Sequence, residues 1–322
     1  MTDMADDPHF GLAKAVSTPL LAAPDREIEV FERVSDLPLE DSVRVLRRAA
    51  TEVRRRSAQN VVAAGLGHIG GEFSITDVLV TLYLASMNIT PEMVEAEDGD
   101  RDRLFLSKGH TANTLYTVLA AAGFINPAAL RTFVQPKSML NGHPSVDKIH
   151  AVEASTGSLG HGLPIAVGSA IAGQLDGSNR RTFVILGDGE MQEGSNWEAI
   201  MYAGHRKLDH LVALVDRNHL QQGASVEDTN DLEPLADKLR AFNWEVVEVD
   251  GHDHAALLKV FAGVPAKTGK PTFVIAHTHK GHPISFMSDN VAWHHKVPSQ
   301  EQLKMILDEL DERLANQREE KK

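Results

Sequence analysis

Cysteine is absent from the 322-residue sequence. That excludes a disulfide framework, a thiolate metal site and a cysteine nucleophile, and it leans towards a cytoplasmic setting. An export signal is missing too, because residues 1–10 are acidic and lack a basic n-region followed by an apolar stretch. Positive charge is in short supply. Lys and Arg total 32 against 45 Asp and Glu, a formal net charge of −13, which disfavours a nucleic-acid partner, since phosphate backbones need clustered cations. The one basic cluster, residues 44–56, reads as the solvated face of a helix. The longest uncharged stretch, 154–175, could span a bilayer by length alone. It contains His161, Pro164 and several glycines, and reads instead as a buried helix with a glycine-rich entry. No membrane partner is expected.

What is present suits a folded α/β protein, with 42% hydrophobic and 24% charged residues. Residues 1–37 lack sustained periodicity and read as an N-terminal arm, partly disordered. Residues 38–298 read as one α/β domain, and 299–322 as a C-terminal helix and tail. Helical patterning runs over 41–64 and 74–87. Further on, short apolar runs at 182–186, 211–215, 246–249 and 273–276 alternate with amphipathic stretches at 193–206, 235–242 and 254–261. Such alternation implies βαβ units and a mainly parallel central sheet flanked by helices. Ligands of an open α/β sheet bind beyond the carboxyl ends of its strands, so motifs just after strands carry the most weight.

Gly187-Asp188-Gly189 follows the run 182–186 directly. Its glycines allow a tight turn and close approach to a phosphate, while the Asp carboxylate projects from the strand end. Alone, the triplet equally marks an ordinary strand-to-helix turn. A second strand, 211–215, ends in Asp216-Arg217-Asn218, with Asn218 about thirty residues after Asp188. One helix and one strand between them place both at neighbouring strand ends. A carboxylate, an amide oxygen, the main-chain carbonyl of Leu220 and two diphosphate oxygens form an oxygen set suited to Mg²⁺. The competing account is a pair of turn-forming Asx residues.

This pattern, with Gly67-His68-Ile69-Gly70-Gly71, Ser107-Lys108-Gly109-His110, Gly142-His143-Pro144, Ser155-Thr156-Gly157-Ser158-Leu159-Gly160-His161-Gly162 and Trp293-His294 in order along residues 40–298, resembles the thiamine diphosphate enzymes. It is most similar to the N-terminal, diphosphate-binding half of transketolases. The resemblance implies the thiamine diphosphate-binding fold, thiamine diphosphate as cofactor, and Mg²⁺ (or Ca²⁺ or Mn²⁺) held by Asp188, Asn218 and the Leu220 carbonyl. Gly189 would offer its N–H to the diphosphate, which His110 and His294 would also contact. Gly157 and Leu159 match the segment lining the cofactor, with Leu159 against the thiazolium. His68 and His143 match histidines that face the substrate, and with His294 they form the expected catalytic set. Glu193 and Glu198, on the helix after the metal motif, match carboxylates at a subunit interface near the cofactor. A solvated helix face accounts for them almost as well. Imidazole ligates zinc readily, but the spacings among His277, His279, His282 and His295 form no recognised zinc pattern.

In the family, the acidic group that activates the cofactor lies in a following pyrimidine-binding domain, and this sequence stops after its terminal helix. The resemblance therefore implies a split enzyme acting on sugar phosphates. Its partner would be a C-terminal subunit carrying that domain, in an α2β2 heterotetramer. Two departures stand out: Asp216-Arg217-Asn218-His219 is bulky where relatives are often smaller, and Gln222 falls where an apolar residue is expected. Competing expectations are another thiamine diphosphate component, like deoxyxylulose-phosphate synthase or a 2-oxo acid dehydrogenase, and a non-catalytic cofactor-binding regulatory subunit.

Overall fold

The computed structural model describes residues 26–319. Five strands, β1 (Arg103–Leu106), β2 (Thr182–Gly187), β3 (Leu211–Arg217), β4 (Glu245–Asp250) and β5 (Thr272–His277), form one all-parallel sheet in the order β1-β2-β3-β5-β4. β2 and β3 are buried at every position, as expected of central strands covered on both faces. β4 forms one edge and is the most exposed. The four apolar runs become strands, each extended by a residue or two; β1 escaped the periodicity because only four residues pair.

Helices cover both faces. On one side α1 (Leu39–Ala64), α2 (Ile69–Thr81), α4 (Ala112–Ala121) and α9 (His254–Ala262) pack a cluster that takes in Leu46, Val78, Leu119, Phe183 and Phe261. On the other, α5 (Gly162–Asp176), α6 (Gly194–Arg206) and α8 (Leu235–Ala241) close over Leu186, Ile200, Val215, Leu239 and Trp244. The short helices α3 (Pro91–Glu95) and α7 (Val226–Asn230) decorate connections. α10 (Gln300–Glu319) lies along α1 through a third cluster containing Ile69, Phe73, Trp293, Ile306 and Leu310. None of the helices among the described residues is long and apolar enough to cross a membrane.

Three expectations need correction. The helix expected over 74–87 starts five residues earlier, at Ile69, and passes into a π turn at Leu82–Ser86. Gly70 and Gly71 hide that start in the sequence. The basic cluster is solvated only at Arg44, Arg47 and Arg48. Arg54, Arg55 and Arg56 are buried, because the second half of α1 is enclosed by α2, α4 and α10. Their charge is met by fixed partners: Arg54 forks onto Asp77 at 3.0 and 2.6 Å, and Arg55 reaches Asp311 at 2.6 Å. The helix within 154–175 is buried on one face alone: Leu163, Ala166, Val167 and Ala170 point inward, while Ile165 and Leu175 are exposed. Of the arm, residues 1–25 lie outside the described residues. Residues 28–34 are packed: Ile28, Phe31 and Val34 enter the core, and the Phe31 and Val34 amides donate to the carbonyls of Ala121 and Leu84 at 2.7 and 2.8 Å.

Candidate active site

The carboxyl ends of β2 and β3 are adjacent, with Gly187 opposite Asp216 in the parallel register. Asp188 therefore emerges beside the turn 218–220. The two are also tied together: the Asp188 Oδ2 accepts the His219 N–H at 2.6 Å, and Asn218 Oδ1 accepts the Leu220 N–H at 3.2 Å. His219 sits at φ 63°, a left-handed conformation that a side-chain-bearing residue adopts at a cost. Asp188 does not lead straight into a helix. A 3₁₀ turn, Gly189–Gln192, intervenes, and Glu193 caps α6 rather than lying within it. Gly189 directs its N–H onto its neighbour's Asp188 Oδ1 at 2.8 Å.

Burial, then the nearby Asp216 charge, raise the Asp188 carboxyl above its ordinary range, against the pull of Lys280, Arg217 and the Gly189 N–H. Asp216 is also buried, but the ammonium of Lys108 and the hydroxyls of Ser74 and Thr278 overcome burial and hold it below its usual value. Asp188 is thus the under-neutralised carboxylate of the pair. The Asn218 amide oxygen and the Leu220 carbonyl belong to the turn tied to it, and oxygen atoms of these kinds are what a hard divalent cation takes.

A cluster of imidazoles stands next to it. The His68 ring centroid lies 5.1 Å from His110, 5.8 Å from His294 and 4.6 Å from His295, and His110 is 5.5 Å from His294. Burial followed by the other imidazoles and Lys280 pushes His68 down to about 4. Burial and Lys280 push His294 down to about 3, and burial and Lys108 hold His110 well below its usual value. These rings are neutral at physiological pH and act as hydrogen-bond donors and acceptors rather than cations.

Lys280, buried just after β5, places its Nζ 3.0 Å from His294 Nδ1. Burial first, then Lys108, bring its ammonium down to about 8 against the attraction of Asp188 and Asp216. Glycine makes this packing possible, since a Cβ on Gly70 would meet the Trp293 carbonyl oxygen at 2.5 Å and Lys280 Cγ at 2.9 Å. At the other wall a Cβ on Gly109 would lie 2.9 Å from the Gly157 nitrogen, and one on Gly157, at φ 146°, would lie 3.0 Å from the His143 ring. The segment 156–160 is thus folded against both the 107–110 turn and His143. Leu159 is exposed there, and Glu193 packs against Gly160.

Relatives fix the family. A family model described as "Transketolase, thiamine diphosphate binding domain" matches residues 45–308. The chain belongs to the transketolase family. It is 38% identical over 272 residues to one subunit of the apulose-4-phosphate transketolase of Phocaeicola vulgatus, a match covering 84% of this chain and 96% of that one. It is 36% identical over 274 residues to the transketolase of Rattus norvegicus, covering 85% of this chain but 43% of that one. The solved transketolase of Campylobacter jejuni superposes with a TM-score of 0.77 at 28% identity over 83% of this chain and 43% of that one. In extent the chain thus matches nearly all of the Phocaeicola subunit, but less than half of the rat and Campylobacter transketolases.

The contacts join the expected residues in groups: His68, His110 and His294 through their rings, His143 with Gly157, Glu193 with Gly160, and Asp188 with the 218–220 turn; Glu198 is exposed further along α6. Gln222 is also exposed, near the end of the short hairpin closed by the Leu220–Ser225 bridge. His277, His279 and His282 have separate neighbours. His277 pairs with Glu248 and His279 with Asp289, while His282 stacks on His252. The one ligand-like group among the described residues, Asp77, His252 and His282, has its carboxylate already gripped by Arg54.

Sequence reasoning gave no role to Lys108, Glu72, Glu190, Asp216 or Lys280. Glu72 is buried beneath His68, accepts its N–H at 2.9 Å and the Asn113 amide at 2.7 Å, and is raised by burial to about 7. Glu190 accepts the Gly160 and Gly187 N–H groups at 2.9 and 3.0 Å, together with the Ser107 hydroxyl, and so binds three of the signature segments to each other. Lys108 and Asp216 sat inside quoted motifs, so their chemistry was in view; their burial was not.

Proposed function

We propose that this chain is the N-terminal, diphosphate-binding subunit of a split transketolase. It acts with a C-terminal subunit carrying the pyrimidine-binding domain, in a cytoplasmic α2β2 heterotetramer, to move a two-carbon ketol unit from a ketose phosphate to an aldose. The observation that carries this reading is the meeting of the under-neutralised Asp188 with the 218–220 turn at adjacent strand tips, beside neutral imidazoles. The near-complete coverage of a relative that is itself named as one subunit of a transketolase supports the division between two polypeptides.

Asp188, Asn218 and the Leu220 carbonyl would hold Mg²⁺, or Ca²⁺ or Mn²⁺ in its place, beneath the diphosphate of thiamine diphosphate. The cofactor supplies an electron sink for cleavage beside a ketose carbonyl. This chain's residues bind and orient. His110 and His294 would contact the diphosphate, as would the Gly189 N–H on leaving Asp188 Oδ1; Gly157 and the exposed Leu159 would line the thiazolium, and Glu193 borders that segment. His68 and His143, with His294, hydrogen-bond substrate hydroxyls and pass protons as neutral imidazoles.

The test is reconstitution. Mixed with its partner subunit, the chain should give ketol transfer that requires thiamine diphosphate and a divalent metal, and chelation should abolish it. Asp188→Asn should retain the far-ultraviolet circular dichroism of the wild type and lose cofactor binding by calorimetry. Full turnover by this chain alone would defeat the split-site reading, and unchanged affinity in Asp188→Asn would defeat the metal assignment.

A further inference from the structure

We propose that Arg217 is a positioning residue for the metal site, a clamp that fixes Asp188 relative to the 218–220 turn by anchoring both to Glu227 and Glu233. The inference rests on the metal assignment above and extends it to residues that touch neither metal nor cofactor.

Arg217 is the last residue of β3 and is 1% exposed. Its Nη2 donates to Glu227 Oε1 and Glu233 Oε1, each at 2.9 Å. Its Nη1 lies 3.5 Å from Asp188 Oδ2 and has no hydrogen-bond partner among the described residues. One guanidinium therefore spans the gap between the metal carboxylate and the segment running from α7 towards α8. A second connection runs in parallel. His219 gives its N–H to the same Asp188 Oδ2 at 2.6 Å, and its Nδ1 lies 2.7 Å from the same Glu227 Oε1. Asn218 is thus flanked by two residues that each link Asp188 to Glu227, and Leu220 follows at once. The left-handed backbone at His219 needs such external restraint to persist.

Electrostatics and positioning make opposite predictions here. A cation close to a metal-binding carboxylate weakens its attraction for a second cation. If charge were all that Arg217 contributed, removing it would tighten metal binding. Nη2 holds Glu227 and Glu233 while Nη1 faces Asp188, an arrangement that suits a planar guanidinium with donors fixed on two nitrogens, whereas a lysine carries its three donors on a single rotatable nitrogen.

The experiment is Mn²⁺ titration, followed by electron paramagnetic resonance, on the full chain assembled with its partner in saturating thiamine diphosphate. Arg217→Met should weaken Mn²⁺ binding about 10- to 100-fold, the usual effect of losing a residue that orients a ligand. Arg217→Lys should fall between it and the wild type. Glu227→Gln, a change at a half-exposed side chain that leaves the core untouched, should weaken binding less, and the Glu227→Gln, Arg217→Met pair should cost less than the product of the singles because they break one network. Equal or tighter Mn²⁺ binding in Arg217→Met, or no effect of Glu227→Gln, would overturn the clamp while leaving the metal site in place. Absence of thiamine diphosphate-dependent Mn²⁺ binding in the wild type, or its retention in Asp188→Asn, would remove the metal assignment and the clamp together.

Discussion

Lys280 Nζ stands 3.0 Å from His294 Nδ1 inside the fold. An ammonium only donates, so Nδ1 accepts and the imidazole proton resides on Nε2. His294 is thereby fixed as a donor through Nε2, the role the proposed contact with an anionic diphosphate requires. The arrangement also carries an electrostatic burden, since Lys280 is buried near Lys108 and is brought down to about 8 from 10.5.

That burden has a sign that can be measured. A lysine whose pKa is depressed on folding costs stability below its folded value, and the cost disappears as pH rises from about 8 to 10.5. Lys280→Met should therefore stabilise the cofactor-free chain at pH 7 by on the order of 2 kcal/mol, with the gain fading towards pH 10. Urea denaturation at the two pH values reads this directly. The same variant should bind thiamine diphosphate more weakly. A variant less stable at pH 7 than the wild type would show that Lys280 supports the fold rather than the ligand.

His68 provides the complementary case. Its pKa falls from 6.5 to about 4 on folding, so the unfolded chain takes up its proton first and stability attributable to His68 is lost as pH falls from 6.5 through 4. Between pH 6 and 8 the ring stays neutral, and its contribution to catalysis should be flat across that range. His68→Ala in the assembled enzyme should lower kcat/KM by about 100-fold or more without altering the shape of the profile from pH 6 to 8. An acid limb near pH 6.5 that vanishes in the variant would contradict the neutral-imidazole account.

Strand tips were legible in the sequence because a parallel sheet buried on both faces demands apolar runs, and β2 and β3 supply them without interruption. The approach of Asp188 to the 218–220 turn followed from that and from the spacing in the sequence. The buried charges were not legible. Arg54, Arg55 and Arg56 follow Arg44, Arg47 and Arg48 in one basic run, and the elements that enclose the second half of α1, with partners such as Asp77 and Asp311, are remote in sequence. Lys280 was invisible for the same reason: its neighbours Asp188, Asp216 and His294 come from three different segments. Glycines hid α2 by lowering its local helix propensity, while tertiary packing required them there.

Gly70 separates that packing requirement from propensity. In an exposed helix interior, Gly→Ala gains up to about 1 kcal/mol. At Gly70 the new methyl would face the Trp293 carbonyl at 2.5 Å and Lys280 Cγ at 2.9 Å. The backbone carbonyl cannot rotate away like a side-chain tip, so the 291–294 turn must shift and take His294 with it. Gly70→Ala should destabilise the isolated chain by about 1–3 kcal/mol, the usual cost of overpacking, and should weaken thiamine diphosphate binding in the assembled enzyme. Gly168→Ala is the matched control, because Gly168 lies on the exposed face of α5 with nothing within 4 Å of an added Cβ. It should stabilise the isolated chain by about 0.5–1 kcal/mol. Equal thermal shifts in the two variants would mean that the contact between α2 and the 293–294 segment is looser than the structure places it, and His294 would then lack the support on which its orientation depends.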